Sequence, residues 1–305
     1  MYSVDQLTRG VRNPRMALNE LQRHYYARTT RNATDGVDIP AEDWDALVIL
    51  DACRFDAFER LSDLPGSLSK RRSKAPTTVE FLRANLAGVD MTDTVYVTAN
   101  PQFYRIEHGV YDVEPIGCRF HEVVDVWQDG WDDETGTVHP DRVTRAALEA
   151  AEEHPNKRLL VHYMQPHAPY IGPTGRDRLP SRQLNFWESY KRGDLDVDLD
   201  VVRRAYDENL ELVLDEVDEL LDGLSGRVVV TADHGELLGD RSGPIPYRKY
   251  GHLRGLHVPE LVEVPWLVYE DGPRPRISAE TSTTEDAEVA DDVVVDRLRD
   301  LGYAD

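Results

Sequence analysis

Residues 201–236 read VVRRAYDENLELVLDEVDELLDGLSGRVVVTADHGE, and their pattern changes abruptly at Gly226. Over Val201–Leu224 apolar residues return every three or four positions, the period of a helix with one face on a core. Gly226 then serves as a usual helix terminator. Arg227–Ala232 follows as a short run of Val and Thr, the composition of a strand buried on both faces of a sheet. That run delivers Asp233-His234-Gly235-Glu236 at its end. Working outward, four further runs share the strand pattern: Ala46–Leu50, Thr94–Thr98, Arg158–Tyr163 and Val264–Tyr269. Helical patterns lie between and after them, with Asp141–Glu153 following Pro140 and Val293–Leu301 closing the chain's pattern. Glu270–Asp291, rich in Pro, Ser, Thr and acids, has no period and reads as a loop. No internal repeat is visible. Strand alternating with helix over this length predicts an α/β fold with a doubly wound, mostly parallel sheet flanked by helices.

In such a sheet, ligands bind outside the carboxyl ends of the strands, and four runs place polar residues there. Leu47–Leu50 leads into Asp51-Ala52-Cys53-Arg54-Phe55-Asp56, and Val95–Thr98 into Asn100-Pro101. Leu159–Val161 leads into His162-Tyr163-Met164-Gln165-Pro166-His167-Ala168-Pro169-Tyr170, and Val228–Thr231 into Asp233-His234. Asp51, Asp233 and His234 together offer two carboxylates and an imidazole, a set that suits one divalent cation and leaves room for a substrate. Manganese, magnesium or calcium fits this oxygen-rich set in preference to zinc. Each piece has a plainer use: Asp51 can cap the following helix, and His234 can be a satisfied core histidine.

The chain has 305 residues, 57 acidic and 35 basic, for a formal charge of −22. A field of that sign repels a duplex, so nucleic acid is excluded as a general partner. The 40% hydrophobic content is too high for a disordered chain. No apolar run approaches the roughly 18 residues of a spanning helix, and the first residues lack the apolar core of a signal peptide. The expectation is a soluble, cytoplasmic protein. Basic residues are mainly Arg, with Lys only at Lys70, Lys74, Lys157, Lys191 and Lys249. An acidic surface so poor in Lys is like that of halophilic proteins, in which high salt screens self-repulsion. Cys53 and Cys118 make no metal pair and no disulfide framework, and read as reduced structural thiols.

Residues 1–40 read as an N-terminal helical arm and 41–305 as the α/β domain. In the arm Arg9, Arg12, Arg15, Arg23, Arg28 and Arg31 outnumber Asp5 and Glu20, while Leu7, Val11, Leu18, Leu21 and Tyr25 fall near helical spacing. The arm is either an ordinary helix packed on the domain or a weak dock for an acidic membrane surface or partner.

The order and context of these pieces resemble the sulfatase-like branch of the alkaline phosphatase superfamily, in a haloarchaeal-type version, over about residues 44–270. Val48-Ile49-Leu50-Asp51-Ala52-Cys53-Arg54-Phe55-Asp56 resembles the family's first metal-binding strand. Val161–Tyr170 resembles its Pro-His-x-Pro-Tyr segment, and Val229–Gly239 its Asp-His-Gly-Glu metal segment, the most specific of the matches. Tyr250-Gly251-His252, Pro259-Glu260-Leu261 and Val264-Pro265-Trp266 resemble the stretch entering the last strand. The resemblance implies a metal-dependent hydrolase or transferase of phosphate or sulfate esters, carried by small molecules or glycans. Its nucleophile would begin a helix after the first strand, within Ser73–Leu82. Thr78, followed by Glu80-Phe81-Leu82, fits that place better than Thr77, although either can be the helix N-cap. A phosphate or sulfate there meets free N–H groups, and a Thr oxygen on the metal becomes a usable alkoxide.

The resemblance also implies that His252 and His167 contact the anion or protonate the leaving group; otherwise Pro-His-x-Pro-Tyr is a rigid loop. Asn100 can donate to a phosphoryl oxygen or simply form an Asn-Pro turn. Arg54 can neutralise the anion or pair with Asp56. His162, His108, His121, His139, His154 and His257 carry no role. The Cys/Ser-x-Pro-x-Arg motif that sulfatases mature to formylglycine is absent, since neither Cys53 nor Cys118 fits it. A Thr nucleophile is instead what family phosphodiesterases and phosphoglycerol or phosphoethanolamine transferases use. The alternative is a sulfatase-like binding protein for an anionic or glycan ligand, with weak turnover or none.

Overall fold

Ala46–Leu50 has no polar residue, and every one of its side chains is buried, so it can only be an interior strand covered on both faces. A computed structural model of the chain describes residues 14–29, 35–110, 113–180, 185–279 and 289–303. In chain order the strands are β1 (Ala46–Leu50), β2 (Ser67–Arg72), β3 (Asp90–Thr98), β4 (Arg119–Asp125), β5 (Trp131–Asp132), β6 (Thr137–Val138), β7 (Arg158–Tyr163), β8 (Gly226–Thr231), β9 (Leu237–Arg241), β10 (Arg248–Gly251) and β11 (Glu263–Asp271). Seven form one mixed sheet in the order β2-β11-β8-β1-β7-β3-β4, and β5-β6 and β9-β10 are two small hairpins. β1 lies parallel between β7 and β8, and β3 lies parallel between β7 and β4. β11 runs antiparallel to both β8 and β2. The carboxyl ends of β1, β3, β7 and β8 therefore open on one side, as the expected doubly wound, mostly parallel sheet requires.

Residue parity assigns the two faces. Val97, Val161, Val48, Val230 and Leu267 stand in register across the sheet and join one core cluster. Leu47, Ile49, Tyr96, Leu160, Val229 and Trp266 belong to the cluster on the other face. Full burial of each such side chain contributes on the order of 1.5–3 kcal/mol. The first face is covered by the helices Pro140–Glu153 and Leu199–Gly223, which pack on each other. The second of these buries Val202, Ala205, Tyr206, Asn209, Leu210, Val213, Leu214, Val217, Leu220 and Leu221, the predicted helical stripe. Pro140 occupies the first turn of its helix, where a missing N–H costs nothing.

The five expected strands are all present, within a few residues at their ends. β2 was not legible: Ser-Leu-Ser-Lys-Arg-Arg is exposed at all six positions. Basic residues on such an edge discourage pairing with another sheet. The helix Pro14–Thr29 lies in the expected arm, but its buried residues are Gln22 and Tyr26, and Leu21 and Tyr25 are exposed. The packed face is thus one position out of phase with the apolar pattern. The reason is specific contact: Gln22 Nε2 donates to the Ile245 carbonyl at 2.8 Å, and Tyr26 joins Leu237, Leu256 and Val258. Leu7, Val11, Arg9, Arg12 and Arg31 lie outside the described residues. So do 280–288 of the expected loop, whose part at 273–279 has neither helix nor strand. Cys53 and Cys118 are buried free thiols. Among the described residues, no helix is long and apolar enough to cross a membrane.

Candidate active site

Asp51 follows β1 directly, and the next residue, Ala52, has φ 61°. A left-handed alanine costs on the order of 1–2 kcal/mol and persists only where its surroundings hold it. Here the Ala52 N–H donates to Asp233 Oδ1 at 3.1 Å. The Ala52 carbonyl accepts the Tyr206 hydroxyl at 2.8 Å, and that hydroxyl accepts the Arg54 N–H at 3.0 Å. The long helix thus clamps the turn that brings the ends of β1 and β8 together.

Asp233 Oδ1 also accepts the His234 N–H at 2.8 Å, so one carboxylate oxygen is held by two backbone donors. Asp51 Oδ2 accepts from Asn100 Nδ2 at 2.7 Å and from the Tyr303 hydroxyl at 3.2 Å. His234 Nδ1 donates to the Gly235 carbonyl at 2.8 Å, which leaves Nε2 as the lone-pair nitrogen. That Nε2 stands 3.4 Å from Asp233 Oδ2, 3.9 Å from Asp51 Oδ1 and 3.2 Å from Thr78 Oγ1. Burial pushes the His234 imidazole down to about 3, which keeps it neutral and able to ligate. Burial, and then the charge of Asp233, push the Asp51 carboxyl well above the ordinary carboxylate range. Two facing buried carboxylates and a neutral imidazole are groups that could hold a cation between them.

The fit to a cation is visible in atoms left over. Among the described residues, Asp233 Oδ2, His162 Nε2 and both Glu236 carboxylate oxygens are buried without a hydrogen-bond partner. Ligand atoms of Asp51, His162 and Asp233 lie within 4.8 Å of one another, and so do those of His167, Glu236 and His252. The first group shares both aspartates with the set predicted from the sequence but has His162 in the place of His234, whose Nε2 nonetheless stands 3.4 Å from Asp233 Oδ2. The second is a separate group that could hold a cation, whereas the sequence led to the expectation of one metal.

Thr77 and Thr78 divide their roles. Thr77 has extended backbone and is the N-cap of the helix Thr78–Leu86: its Oγ1 accepts the Glu80 N–H and donates to Glu80 Oε2 at 3.0 Å. Thr78 is the first helical residue, fully buried, with its hydroxyl donating to His234 Nε2. His252 follows β10, with Nδ1 3.4 Å from Glu236 Oε1. Burial by itself would lower His252, but the adjacent Glu236 outweighs it and raises the imidazole above its usual value. For Glu236 burial pulls upward, and His252, His167 and His234 together hold it below the usual range. His167 stacks beside Tyr303, ring centroids 5.2 Å apart, and burial pushes it down to about 4.

Two predicted substrate contacts have other duties. Arg54 pairs through Nε and Nη2 with Asp56 and through Nη1 with Asp240, each at 2.8 Å, and reaches the Glu236 carbonyl at 3.0 Å. The pairing alternative is therefore present in the structure. Asn100 orients Asp51 and accepts the Gln102 N–H at 2.9 Å, so its amide works within the site's frame. Sequence reading assigned no role to His162, Glu236, Tyr206 or Tyr303. Glu236 stood inside a quoted motif and His162 at the end of a recognised strand, so both had a signal. Tyr206 looked like one more core residue of a helix, and Tyr303 had no signal at all.

No known protein-family profile matches the chain, and no curated protein sequence matches it. Partial likenesses occur among solved structures. The C-terminal periplasmic domain of EptC from Escherichia coli, solved with zinc, is 14% identical with a TM-score of 0.47; the match covers 74% of this chain and 72% of that one. A phosphonate monoester hydrolase from Silicibacter pomeroyi is 14% identical with a TM-score of 0.38, over 84% and 72% of the two chains. A 2-O GAG sulfatase is 12% identical with a TM-score of 0.40, over 77% and 65%. These are partial likenesses at low identity, and the resemblance to the sulfatase-like branch of the alkaline phosphatase superfamily rests on the motifs of the chain itself.

Proposed function

We propose that this chain is a metal-dependent hydrolase or transferase of phosphate or sulfate esters, with Thr78 as nucleophile. The observation that carries the reading is the position of Thr78. Its hydroxyl is buried at the start of a helix and lies 3.2 Å from His234 Nε2, the nitrogen that also faces Asp51 and Asp233. The cation that Asp51, Asp233 and His234 would hold neutralises their charge and lowers the pKa of a bound hydroxyl. Thr78 Oγ1 then attacks phosphorus or sulfur while the free N–H groups of the first helical turn face the anion. His252, whose imidazole Glu236 holds above its usual value, is the group placed to give a proton to the departing oxygen. His167, neutral and beside it, packs the other wall.

Initial rates on a panel of phosphate monoesters, phosphodiesters and aryl sulfates, each with manganese, magnesium, calcium or zinc, test this reading. Turnover on one ester class with a metal requirement is expected. Metal demonstrably bound with no turnover on any ester would leave the binding-protein alternative standing instead.

A further inference from the structure

Asp51 and Asp233 face the imidazole that Thr78 meets, and Glu236 faces His252; all three carboxyls are buried, and Arg54 is turned to Asp56 and Asp240. An anion attached at Thr78 therefore gains from a neutral hydrogen-bond donor besides His252 and any cation. Tyr303 presents one. Its hydroxyl lies 3.5 Å from Thr78 Oγ1 and 3.2 Å from Asp51 Oδ2. Its ring stacks on His167, with planes 21° apart.

The fold builds this placement. The helix Asp291–Asp300 buries Val294 and Leu298 in the main core, with Leu301 after it. Arg297 pairs with Asp133 at 2.7 Å and lies over the Trp131 ring. The helix then ends in a Schellman turn: the Gly302 N–H reaches the Arg299 carbonyl at 3.0 Å, and the Tyr303 N–H reaches the Leu298 carbonyl at 2.8 Å. Gly302 has φ 80°, a conformation that L side chains resist. The turn reverses the chain and directs Tyr303 into the pocket.

We infer that Tyr303 is a catalytic residue of this site. Its O–H turns from Asp51 Oδ2, to which it donates in the resting site, and donates instead to a non-bridging oxygen of the phosphoryl or sulfuryl group while that group is joined to Thr78. The phenol keeps its proton throughout; the bond made joins Thr78 Oγ1 to phosphorus or sulfur after the Thr78 proton has passed to solvent, and the bond broken is to the leaving oxygen, which departs with its electron pair and takes a proton from His252. A hydroxyl within 3.5 Å of the attacking oxygen is within reach of the oxygens that surround the attacked atom. The inference rests on the ester-transfer reading given above.

Tyr303→Phe keeps the ring on His167 and removes only the donor. Loss of one preorganised donor costs about 10²-fold in kcat. The expectation is that loss, with KM within a few-fold of wild type, unchanged metal content and a melting temperature lower by at most about 4 °C for the lost bond to Asp51. Gly302→Val, which strains the turn, should lose rate in the same direction. Affinity of the metal-loaded protein for inorganic phosphate, measured by calorimetry, should fall in Tyr303→Phe as well. A wild type that turns over no ester defeats the ester-transfer reading, and the phosphate affinities then decide the role of Tyr303. A Tyr303→Phe rate at or above wild type, or an unchanged phosphate affinity, overturns the inference.

Discussion

Replacing each of two adjacent threonines by alanine separates a structural hydroxyl from a chemical one. Thr77 caps its helix through the Glu80 N–H and carboxylate. Removing such a cap costs about 1 kcal/mol, with a range of roughly 0.5–2. In a chain this long that corresponds to a drop of about 2 °C in melting temperature, by extrapolation from somewhat smaller domains. Thr77→Ala should therefore melt slightly earlier and retain most of its rate, since its hydroxyl faces Glu80 and not the buried carboxylates. Thr78 makes one hydrogen bond of ordinary length, to His234 Nε2, so its loss costs stability of similar size, about 0.5–1.5 kcal/mol. The chemical consequence is of another order, because the attacking atom is gone: a fall in kcat of at least about 10³-fold is expected. The assay is paired: melting curves and initial rates on the best ester of the panel, with intact-mass detection of a covalent adduct in wild type. Loss of activity in Thr77→Ala with activity kept in Thr78→Ala would put the register wrong by one residue. Full activity in both variants would refute covalent attack and leave a bound water as the nucleophile.

Asp233→Ala should lose most of its bound metal, because Oδ2 is the unpartnered oxygen facing His234 Nε2; metal analysis showing wild-type content would remove Asp233 from the cation site. Glu236 raises His252, so the alkaline limb of the rate profile should lie above the usual histidine value of about 6.5 and move to lower pH in Glu236→Gln. The raised His252 contributes stability that is fully present below about pH 6.5 and is lost as pH rises through its folded value, while the lowered Glu236 contributes stability present above about pH 4.5 and lost as pH falls; an unshifted limb in the variant would count against His252 as the acid. With a net charge of −22, the melting temperature should climb as potassium chloride goes from about 0.1 M to molar, where the screening length falls from about 10 Å to about 3 Å. A flat series would contradict the halophilic expectation.

Residue order alone sufficed for the elements whose burial is complete. Ala46–Leu50 has no polar position to satisfy, and Val201–Leu224 repeats apolar residues at one period, so hydrophobic burial admits one reading of each. Asp51, Asp233, His234 and Thr78 were legible too, because each follows such an element by a residue or two, and strand ends in a parallel sheet converge whatever the intervening sequence. Segments held by specific contacts rather than by bulk burial were not. β2 is an exposed strand recruited by β11, and the arm helix is phased by the bond of Gln22 to Ile245. Within the site, only distances could show that Arg54 is consumed by Asp56 and Asp240, that Asn100 holds Asp51, and that Thr77 rather than Thr78 caps the helix. Tyr303 is the extreme case. It is 225 residues from Thr78, and nothing local marks it as polar machinery. Its place depends on a helix packed on the core, and on a left-handed glycine that turns the chain back. Hydrophobic period is a property of neighbours in sequence and can be read from them, whereas the partner of a polar atom is chosen by the fold.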